Sequence, residues 1–111
     1  MYVFELYNDE RILEKGMATL YTDEHLSGAL YLTNRRLVFV GYINDLSFKH
    51  EMSVQLNLIT EIKSAKTFKI IPNAIEISTR KNEQFRLIVQ KRDEWMTSIK
   101  HAMAGAAQPQ R

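Results

Sequence analysis

With 111 residues, the chain has the length of one domain with a single hydrophobic core. Its hydrophobic fraction of 45% and charged fraction of 25% are those of an ordinary globular protein, and its formal net charge of +2 is too small to indicate a nucleic-acid or membrane partner. The chain contains no cysteine, which excludes disulfides, thiolate metal ligands and thiol nucleophiles. No apolar run approaches the roughly twenty residues that a membrane-spanning helix needs, and residues 1–10 lack the pattern of a secretory signal, so we expect a cytoplasmic protein.

Strand patterns begin in the first third of the chain. Before Gly16 the apolar spacing fits either an extended segment or one helical turn, whereas residues 17–22 favour a strand. On either side of Asn34 and Arg35, apolar residues recur at every second position, which predicts an antiparallel hairpin with these two residues as its turn. Together these segments predict three consecutive antiparallel strands.

The register of the hairpin follows if Asn34 and Arg35 form the turn, and a bulge at the turn would shift it by one residue. One face should be apolar, with Leu32 opposite Leu37 and Leu30 opposite Phe39. Since arginine tolerates positive φ poorly, the turn sequence favours a type I turn with a bulge over a type I′ turn.

Four further strands are predicted in the second half of the chain. Residues 41–50 form a loop that contains Leu46 and Phe48, and the chain should turn over residues 58–62 and again at Pro72 and Asn73. The predicted strands are residues 52–57, 63–70, 74–78 and 85–89, with a polar turn at residues 80–83. Up to Gln90, the sequence therefore predicts strands and no helix.

An amphipathic helix is predicted after Gln90. Its apolar stripe recurs at three- and four-residue spacing and consists of Trp95, Met96, Ile99, Ala102 and Met103. We expect the helix to end at Gly105, with residues 1–105 forming one domain and residues 106–111 a flexible C-terminal tail. Because a long antiparallel sheet curls and leaves an open end, we expect the helix to close that end with the Trp95 indole in the core.

The segment from Gly28 to Phe39, with the sequence GALYLTNRRLVF, resembles the GRAM domain, a member of the pleckstrin-homology-like (PH-like) superfold. Residues 10–16 (ERILEKG) and 91–95 (KRDEW) are also similar to the ends of compact, stand-alone members of that family. The resemblance implies a mainly β fold with one C-terminal α-helix: a PH-like, partly open barrel of seven antiparallel strands in two orthogonal sheets, capped by the helix. It also implies a role in binding lipids or proteins, often at membranes, without catalysis.

The residue types of common catalytic and metal sites are present, but their spacing does not suit that chemistry. His25, His50 and His101 lie far apart, with no pair at a metal-ligand spacing such as i, i+4. Asp23, His25 and Ser27 lie too close together on one turn to orient one another as a hydrolytic triad. The glycines are isolated from one another, which excludes a glycine-rich phosphate loop. We therefore expect a protein without enzyme activity, metal or cofactor.

Basic residues supply the candidate binding site. The candidates for a patch that binds anionic lipid headgroups are Arg35, Arg36, Lys63, Lys66 and Lys69, with Arg80-Lys81 and Lys91-Arg92 as further basic pairs. At about 1 kcal/mol per basic residue, three or four of them supply about 3 to 4 kcal/mol, which gives only millimolar affinity. Membrane binding would also need either a specific headgroup pocket or an inserted apolar side chain, and Leu46 and Phe48 are the candidates for insertion. The alternative is that the charges only solvate the turns and these two side chains pack beneath their loop.

The first functional hypothesis is a non-catalytic binding module of the GRAM or PH-like type, peripheral to a membrane, that contacts a protein partner or anionic phospholipid. The alternative is a small β-barrel nucleic-acid-binding protein, in which Tyr31 and Tyr42 stack against bases beside the basic turns. A homodimer is a further hypothesis, because Tyr31, Val38 and Ile88 place apolar side chains on the outer face of the predicted sheet.

Overall fold

Residues 4–21, 25–43, 48–67 and 70–107 are described in the computed structural model, and they form seven β-strands followed by one α-helix. In chain order, the elements are β1 (Ile12–Tyr21), β2 (His25–Thr33), β3 (Arg36–Ile43), β4 (Phe48–Gln55), a 3-10 turn (Leu56–Leu58), β5 (Ile59–Thr67), β6 (Ile71–Thr79), β7 (Gln84–Val89) and α1 (Arg92–Ala107). The predicted mainly β architecture with a C-terminal helix is confirmed.

The strands form one antiparallel sheet that curls into a half-barrel, in the order β4-β3-β2-β1-β7-β6-β5. Strand β1 pairs with β2 along its whole length but pairs with β7 only over Ala18–Tyr21. The two sheets that the resemblance implies are therefore hydrogen-bonded to each other through the C-terminal part of β1. This short ladder makes the sheet continuous.

The core lies on the inner face of the curled sheet. Strands β2 and β3 have the predicted register, with Leu32 opposite Leu37 and Leu30 opposite Phe39. All four of these side chains are fully buried, and they pack with inward-facing residues of the other strands. The alternating pattern of the hairpin therefore identified one wall of the core.

Thr33 organises the turn of this hairpin. Its hydroxyl oxygen accepts the backbone N–H groups of Arg35 at 3.0 Å and of Arg36 at 2.9 Å. Neither Asn34 nor Arg35 has positive φ, which confirms that the turn is not of type I′.

Helix α1 closes the barrel with its apolar stripe. It contacts β5, β6, β7 and the 3-10 turn, and it contributes Trp95 and Ile99 to the core at 7% and 0% exposure. The Trp95 indole lies over Gly16 of β1, where an added Cβ atom would lie 3.3 Å from Cζ2 of the indole. The predicted position of Trp95 in the core is confirmed.

Strands β1, β3 and β4 are longer than predicted. Strand β1 begins at Ile12, so the segment before Gly16 is extended rather than helical. Much of the loop predicted over residues 41–50 belongs to β3 and β4, and residues 44–47 between these strands lie outside the described residues.

Two predicted turns are misplaced. The chain turns at Leu56–Leu58 rather than over residues 58–62, because the Leu56 side chain is buried in the core and fixes the turn at that point. The turn predicted at Pro72 and Asn73 is wrong, since both residues lie in β6. They stand opposite Lys66 in a β-bulge, where the missing N–H of proline removes no ladder hydrogen bond.

The helix runs to Ala107, so the end predicted at Gly105 is wrong. An added Cβ atom at Gly105 would meet nothing within 4 Å, and its φ is not positive, so no local contact or backbone conformation requires glycine there. One glycine in a helix costs about 1 kcal/mol relative to alanine, which the flanking alanines offset. Residues 108–111 of the predicted tail lie outside the described residues.

Candidate functional site

Residues 4–11, the N-terminal segment, fold against the β2–β3 hairpin through contacts with Arg36. The Arg36 side chain is 8% exposed, and its Nε donates to Glu10 Oε2 at 2.8 Å. Its Nη2 donates to Glu10 Oε1 at 3.1 Å and to the Glu5 carbonyl at 2.7 Å. The guanidinium also lies 4.5 Å from the centre of the Tyr7 ring and 5.3 Å from that of Phe4. Because these internal contacts occupy Arg36, it is not presented at the surface as the predicted headgroup ligand.

Glu10 is the buried anion of this pair. Its side chain is 0% exposed and accepts further hydrogen bonds from Thr33 Oγ1 at 2.6 Å and from the Tyr7 backbone N–H at 3.0 Å. Burial raises the pKa of the Glu10 carboxyl, but the hydrogen bonds from Arg36, Thr33 and Tyr7 outweigh burial and lower this pKa to about 2. Glu10 is therefore ionised at neutral pH, and its role is to attach the N-terminal segment to the hairpin.

Arg35 is the turn residue that stays at the surface. Its Nη2 lies 2.6 Å from Asp9 Oδ2, and the two side chains are 48% and 69% exposed. The hydrogen bond from Arg35 lowers the pKa of the Asp9 carboxyl. The Asn34 side chain accepts the Arg11 backbone N–H at 2.8 Å and donates to the Asp9 carbonyl at 3.2 Å. The hairpin turn is thus bound to the N-terminal segment as well.

A cleft of about 920 Å³ lies between the hairpin turn and the C-terminal half of α1, and we call it the mouth cleft. Asp9 and Glu14 line it together with Arg11 and Arg35. On the helix side, Ser98 Oγ donates to Glu14 at 3.0 Å. Because charges of both signs face the mouth cleft, its electrostatics do not favour an anionic ligand.

A second recess lies beside the N-terminal turn of α1. Strand β1 pairs with β7 only from Ala18 onward, opposite Val89, so the preceding part of β1 has no strand beside it on that side. The resulting groove has a volume of about 810 Å³. Its described lining contains three cationic side chains, Lys15, Lys91 and Arg92, and no carboxylate. We call it the basic groove.

The connection from β7 to α1 positions two of these cations. Lys91 has a left-handed backbone with φ of 55°, and its carbonyl accepts the Trp95 backbone N–H at 3.1 Å. Arg92 Nη1 donates to the Ala65 carbonyl of β5 at 2.9 Å, and its Nε lies 3.2 Å from Asp93 Oδ1. Lys15 and Lys91 are exposed and have no ion-pair partner among the described residues. Their positive charges are therefore available to a ligand.

Those basic residues of the predicted patch that the structure describes do not lie together. Lys63 and Lys66 are exposed on β5, and the Lys63 ammonium lies 3.7 Å from Glu61. The 3-10 turn before β5 is hydrogen-bonded to the Arg35 carbonyl, and Lys66 lies near the other end of β5, roughly 20 Å further along the strand. Lys66 stands opposite Pro72, and Pro72 lines the basic groove. Lys66 therefore lies on the same side of the molecule as the groove.

The remaining predicted site residues fall outside the described structure. Lys69 lies between β5 and β6, and Leu46 lies between β3 and β4, in segments that are not described. Phe48 opens β4, but its side chain is outside the description as well.

Sequence reasoning missed Lys15 and Met17 as site residues. Met17 is 60% exposed beside the basic groove. In the sequence, neither residue differs from the outward-facing residues of an ordinary strand. The sequence does contain one signal for this surface nearby. Ile70 and Ile71 are consecutive apolar residues directly before a proline, and they break the alternation of apolar and polar residues that a strand shows.

The outer face of the hairpin is largely covered. Val38 is 0% exposed, and the Tyr31 ring lies 4.9 Å from the ring of Phe4 in the N-terminal segment. The homodimer interface predicted from Tyr31, Val38 and Ile88 is therefore not a contiguous exposed surface. Packing against Phe4 also removes Tyr31 as a free stacking face for nucleic-acid bases.

The described part of the chain contains neither a cluster of metal ligands nor a helix that could span a membrane. Within it, no group of three or more His, Asp or Glu side chains is placed to hold a metal ion. Within the same residues, no helix is both long enough and apolar enough to cross a bilayer. His25 stacks on Tyr21 at 4.1 Å, whereas His101 lines the mouth cleft, so these histidines stand apart.

A family model of the GRAM domain matches residues 1–107 of the chain. The chain is 36% identical over 76 residues to Protein Aster-A of Homo sapiens, an alignment that covers 68% of this chain and 10% of that protein. It is 31% identical over 81 residues to Protein Aster-B of Homo sapiens, covering 73% of this chain and 11% of that protein. The matched region is therefore only a small part of these relatives.

Solved structures with this fold include the C-terminal domain of an unknown protein from Leishmania infantum, with a TM-score of 0.74 and 22% identity over 86% of this chain and 85% of that one. The N-terminal PH domain of Vps36 gives a TM-score of 0.68 at 13% identity, covering 90% of this chain and 83% of that one. The Slm1 PH domain in complex with phosphoserine gives a TM-score of 0.60 at 12% identity, covering 87% of this chain and 97% of that one. At these identities the likeness concerns the fold alone.

Proposed function

The chain belongs to the GRAM domain family, and on that premise we propose that it is a non-catalytic module that binds anionic lipid headgroups at a membrane surface. Domains of the GRAM and PH-like families are generally binding modules rather than enzymes. The observation that carries the proposal is the basic groove, whose described lining contains Lys15, Lys91 and Arg92 without a carboxylate. A phosphate or carboxylate headgroup complements these charges.

The groove also offers apolar contact beside its charges. Near an anionic surface, three basic residues contribute a binding free energy of about 3 kcal/mol, at about 1 kcal/mol each. A millimolar dissociation constant needs about 4 kcal/mol, so the charges alone are not enough. Met17 and Pro72 line the same groove and are both exposed. A ligand that joins an anionic group to an apolar chain, as a phospholipid does, would use both kinds of contact.

Lys66 extends this surface and is the predicted site residue that best fits the proposal. It is exposed, and it precedes the end of β5 next to Ala65, whose carbonyl binds Arg92. The Slm1 PH domain was solved with phosphoserine, a phosphate-bearing ligand, which supports the same ligand class for this chain. The nucleic-acid alternative receives no such support from the comparisons.

Vesicle sedimentation tests the proposal. The protein should sediment with vesicles of phosphatidylcholine and phosphatidylserine but not with phosphatidylcholine alone. It should be released in about 1 M salt, where the screening length falls to about 3 Å. The double variant Lys15→Gln/Lys91→Gln should bind about thirtyfold more weakly, because it loses two charges at about 1 kcal/mol each.

A charge-matched control separates the groove from net charge. Arg80 and Lys81 are exposed at the β6–β7 turn, where the Arg80 N–H binds the Leu58 carbonyl, away from the groove. The variant Arg80→Gln/Lys81→Gln should therefore keep most of the affinity. Equal losses in the two double variants would show that only net charge matters, and an unchanged Lys15→Gln/Lys91→Gln variant would remove the groove as the site.

A further inference from the structure

The β5–β6 turn presents two isoleucines to solvent. Ile70 is 75% exposed and Ile71 is 45% exposed, and Ile70 has the highest exposure of the large apolar side chains in the described residues. The Ile70 backbone N–H binds the Thr67 carbonyl at 3.1 Å, and Thr67 pairs with Ile71 in the ladder. These two contacts hold Ile70 and Ile71 next to the end of β5, and both side chains are exposed to solvent.

Several contacts hold this turn in place. Pro72 follows directly and restricts the backbone, since its ring fixes φ. The Thr67 hydroxyl is hydrogen-bonded to the Asn73 side chain across the two strands. Because these contacts hold the backbone around Ile70 and Ile71, these two side chains lose little conformational entropy when they enter an apolar phase. The exposure of Ile70 and Ile71 is therefore a fixed feature of the surface.

The exposed turn is continuous with the basic groove. Pro72 and Asn73 line the groove together with Lys15 and Lys91. Lys66 stands opposite Pro72 in the β-bulge. The apolar tip and the cations consequently lie on one side of the molecule. In a bilayer leaflet, anionic headgroups lie just above the acyl chains, so this order of charged and apolar groups matches the order of the leaflet.

We propose that Ile70 and Ile71 insert into the acyl region of a leaflet containing anionic phospholipid, while Lys15, Lys66 and Lys91 contact the headgroups around them. The inference rests on the proposed function, because insertion adds to headgroup binding in the basic groove. It assigns the apolar anchor to Ile70 and Ile71, whereas the sequence offers Leu46 and Phe48 as candidates for insertion. Charge complementarity identifies the occupant as an anionic leaflet rather than a neutral one.

Removal of the apolar tip is the first test. The variant Ile70→Ser/Ile71→Ser should bind phosphatidylserine vesicles at least about tenfold more weakly, since two apolar side chains no longer leave water on binding. The matched control is Leu6→Ser/Leu13→Ser, because Leu6 and Leu13 are 46% and 47% exposed and neither residue lines the basic groove. The control should bind as the unmodified protein does. Circular dichroism melts should show both variants folded, because all four side chains are exposed.

Depth of insertion is the second test. The variant Ile70→Trp places a reporter at the tip, and Trp95, the chain's other tryptophan, is 7% exposed in the core. With phosphatidylserine vesicles that also contain lipid brominated on the acyl chains, the Ile70→Trp fluorescence should shift to the blue and be quenched. The unmodified protein, with Trp95 alone, should show little change.

The two experiments separate the failure of this inference from that of the proposed function. If Ile70→Ser/Ile71→Ser binds vesicles as well as the unmodified protein while Lys15→Gln/Lys91→Gln does not, insertion is wrong and headgroup binding stands. If the tip variant loses binding but Ile70→Trp is not quenched, the turn contacts something other than acyl chains, and insertion is again wrong. If the unmodified protein does not sediment with anionic vesicles, both proposals are wrong.

Discussion

Glu10 and Arg36 form an ion pair that water barely reaches, and the pair makes stability depend on pH. The pKa of the Glu10 carboxyl falls from 4.5 to about 2 on folding, which corresponds to about 3 kcal/mol of stability at neutral pH. Because the folded pKa is the lower one, this stability is present above pH 4.5 and is lost as the pH falls toward 2. Urea unfolding at pH 7 and pH 3 measures the loss, and Glu10→Gln should reduce the difference between the two pH values.

Replacement of Arg36, the cation of this pair, tests how much the buried Glu10 carboxylate depends on its partner. Arg36→Met leaves the Glu10 carboxylate buried without its main partner, so we expect a loss of about 3 to 5 kcal/mol in the free energy of unfolding. The neighbouring pair of Arg35 and Asp9 is exposed to solvent, which screens its charges, so Arg35→Met should reduce the free energy of unfolding much less than Arg36→Met does. Chemical denaturation of both variants compares them. Similar losses would show that the burial of Arg36 has no special effect on stability.

The sequence alone does not predict side-chain contacts of this kind. Arg36 and Glu10 are 26 positions apart, and neither lies in a pattern that distinguishes a buried charge from an exposed one. The sequence predicted that Arg35 and Arg36 act together at the hairpin turn. The structure divides them, because alternation along β3 turns Arg36 toward the N-terminal segment and leaves Arg35 in the turn.

Strands β2 and β3 approach each other closely at Gly28. An added Cβ atom there would lie 2.2 Å from the Val40 carbonyl oxygen, so Gly28→Ala should push the two backbones apart. We expect a loss of about 1 to 3 kcal/mol, as for other overpacked positions. Gly105→Ala is the matched control, since nothing lies within 4 Å of its added Cβ atom. Because alanine favours the helix, that control should gain about 1 kcal/mol. Equilibrium unfolding of both variants gives the comparison.

Helix α1 depends on Trp95 for its attachment to the sheet. Trp95→Ala would leave a cavity between the helix and Gly16 of β1, so we expect a loss of about 3 to 5 kcal/mol. This is a large fraction of the stability of a domain of this size. Thermal melts measure it, and a change of only a degree or two would show that the helix attaches by other contacts.

At the scale of elements, the sequence predicted what local patterns determine. The β2–β3 hairpin and the stripe around Trp95 repeat with the periods of a strand and a helix, and both are confirmed. Pro72 was misread because a β-bulge accommodates proline inside a strand, and nothing in the local sequence marks a bulge. Gly105 was misread because one glycine is too weak a signal to end a helix among alanines.

Over the whole molecule, a small net charge conceals an uneven distribution. The mouth cleft beside the C-terminal half of α1 has charged side chains of both signs, whereas the charged side chains in the described lining of the basic groove are all cationic. Composition could not predict this, since Lys15 of β1, Lys66 of β5 and Lys91 between β7 and α1 come from distant segments that only the folded sheet and helix bring to one side. The candidate site is therefore created by the tertiary fold, which brings these residues together, and not by a sequence motif.

Self-association is also decided at this scale. Since Val38 is fully buried and Tyr31 packs on Phe4, we expect a monomer in solution. Size-exclusion chromatography with light scattering at high protein concentration measures the mass directly. A stable dimer would contradict the expectation and would point to a surface other than the outer face of the hairpin.

The pairing of β1 with β7 has a consequence for synthesis on the ribosome. Ala18 emerges early, but its partner Val89 belongs to the last strand to be made. Until that strand and α1 leave the exit tunnel, the nascent polypeptide keeps one edge of β1 unpaired and the inner apolar face uncovered. The sheet and its core therefore cannot close before β7 and α1 have emerged, and chaperone protection matters most in the interval before that point.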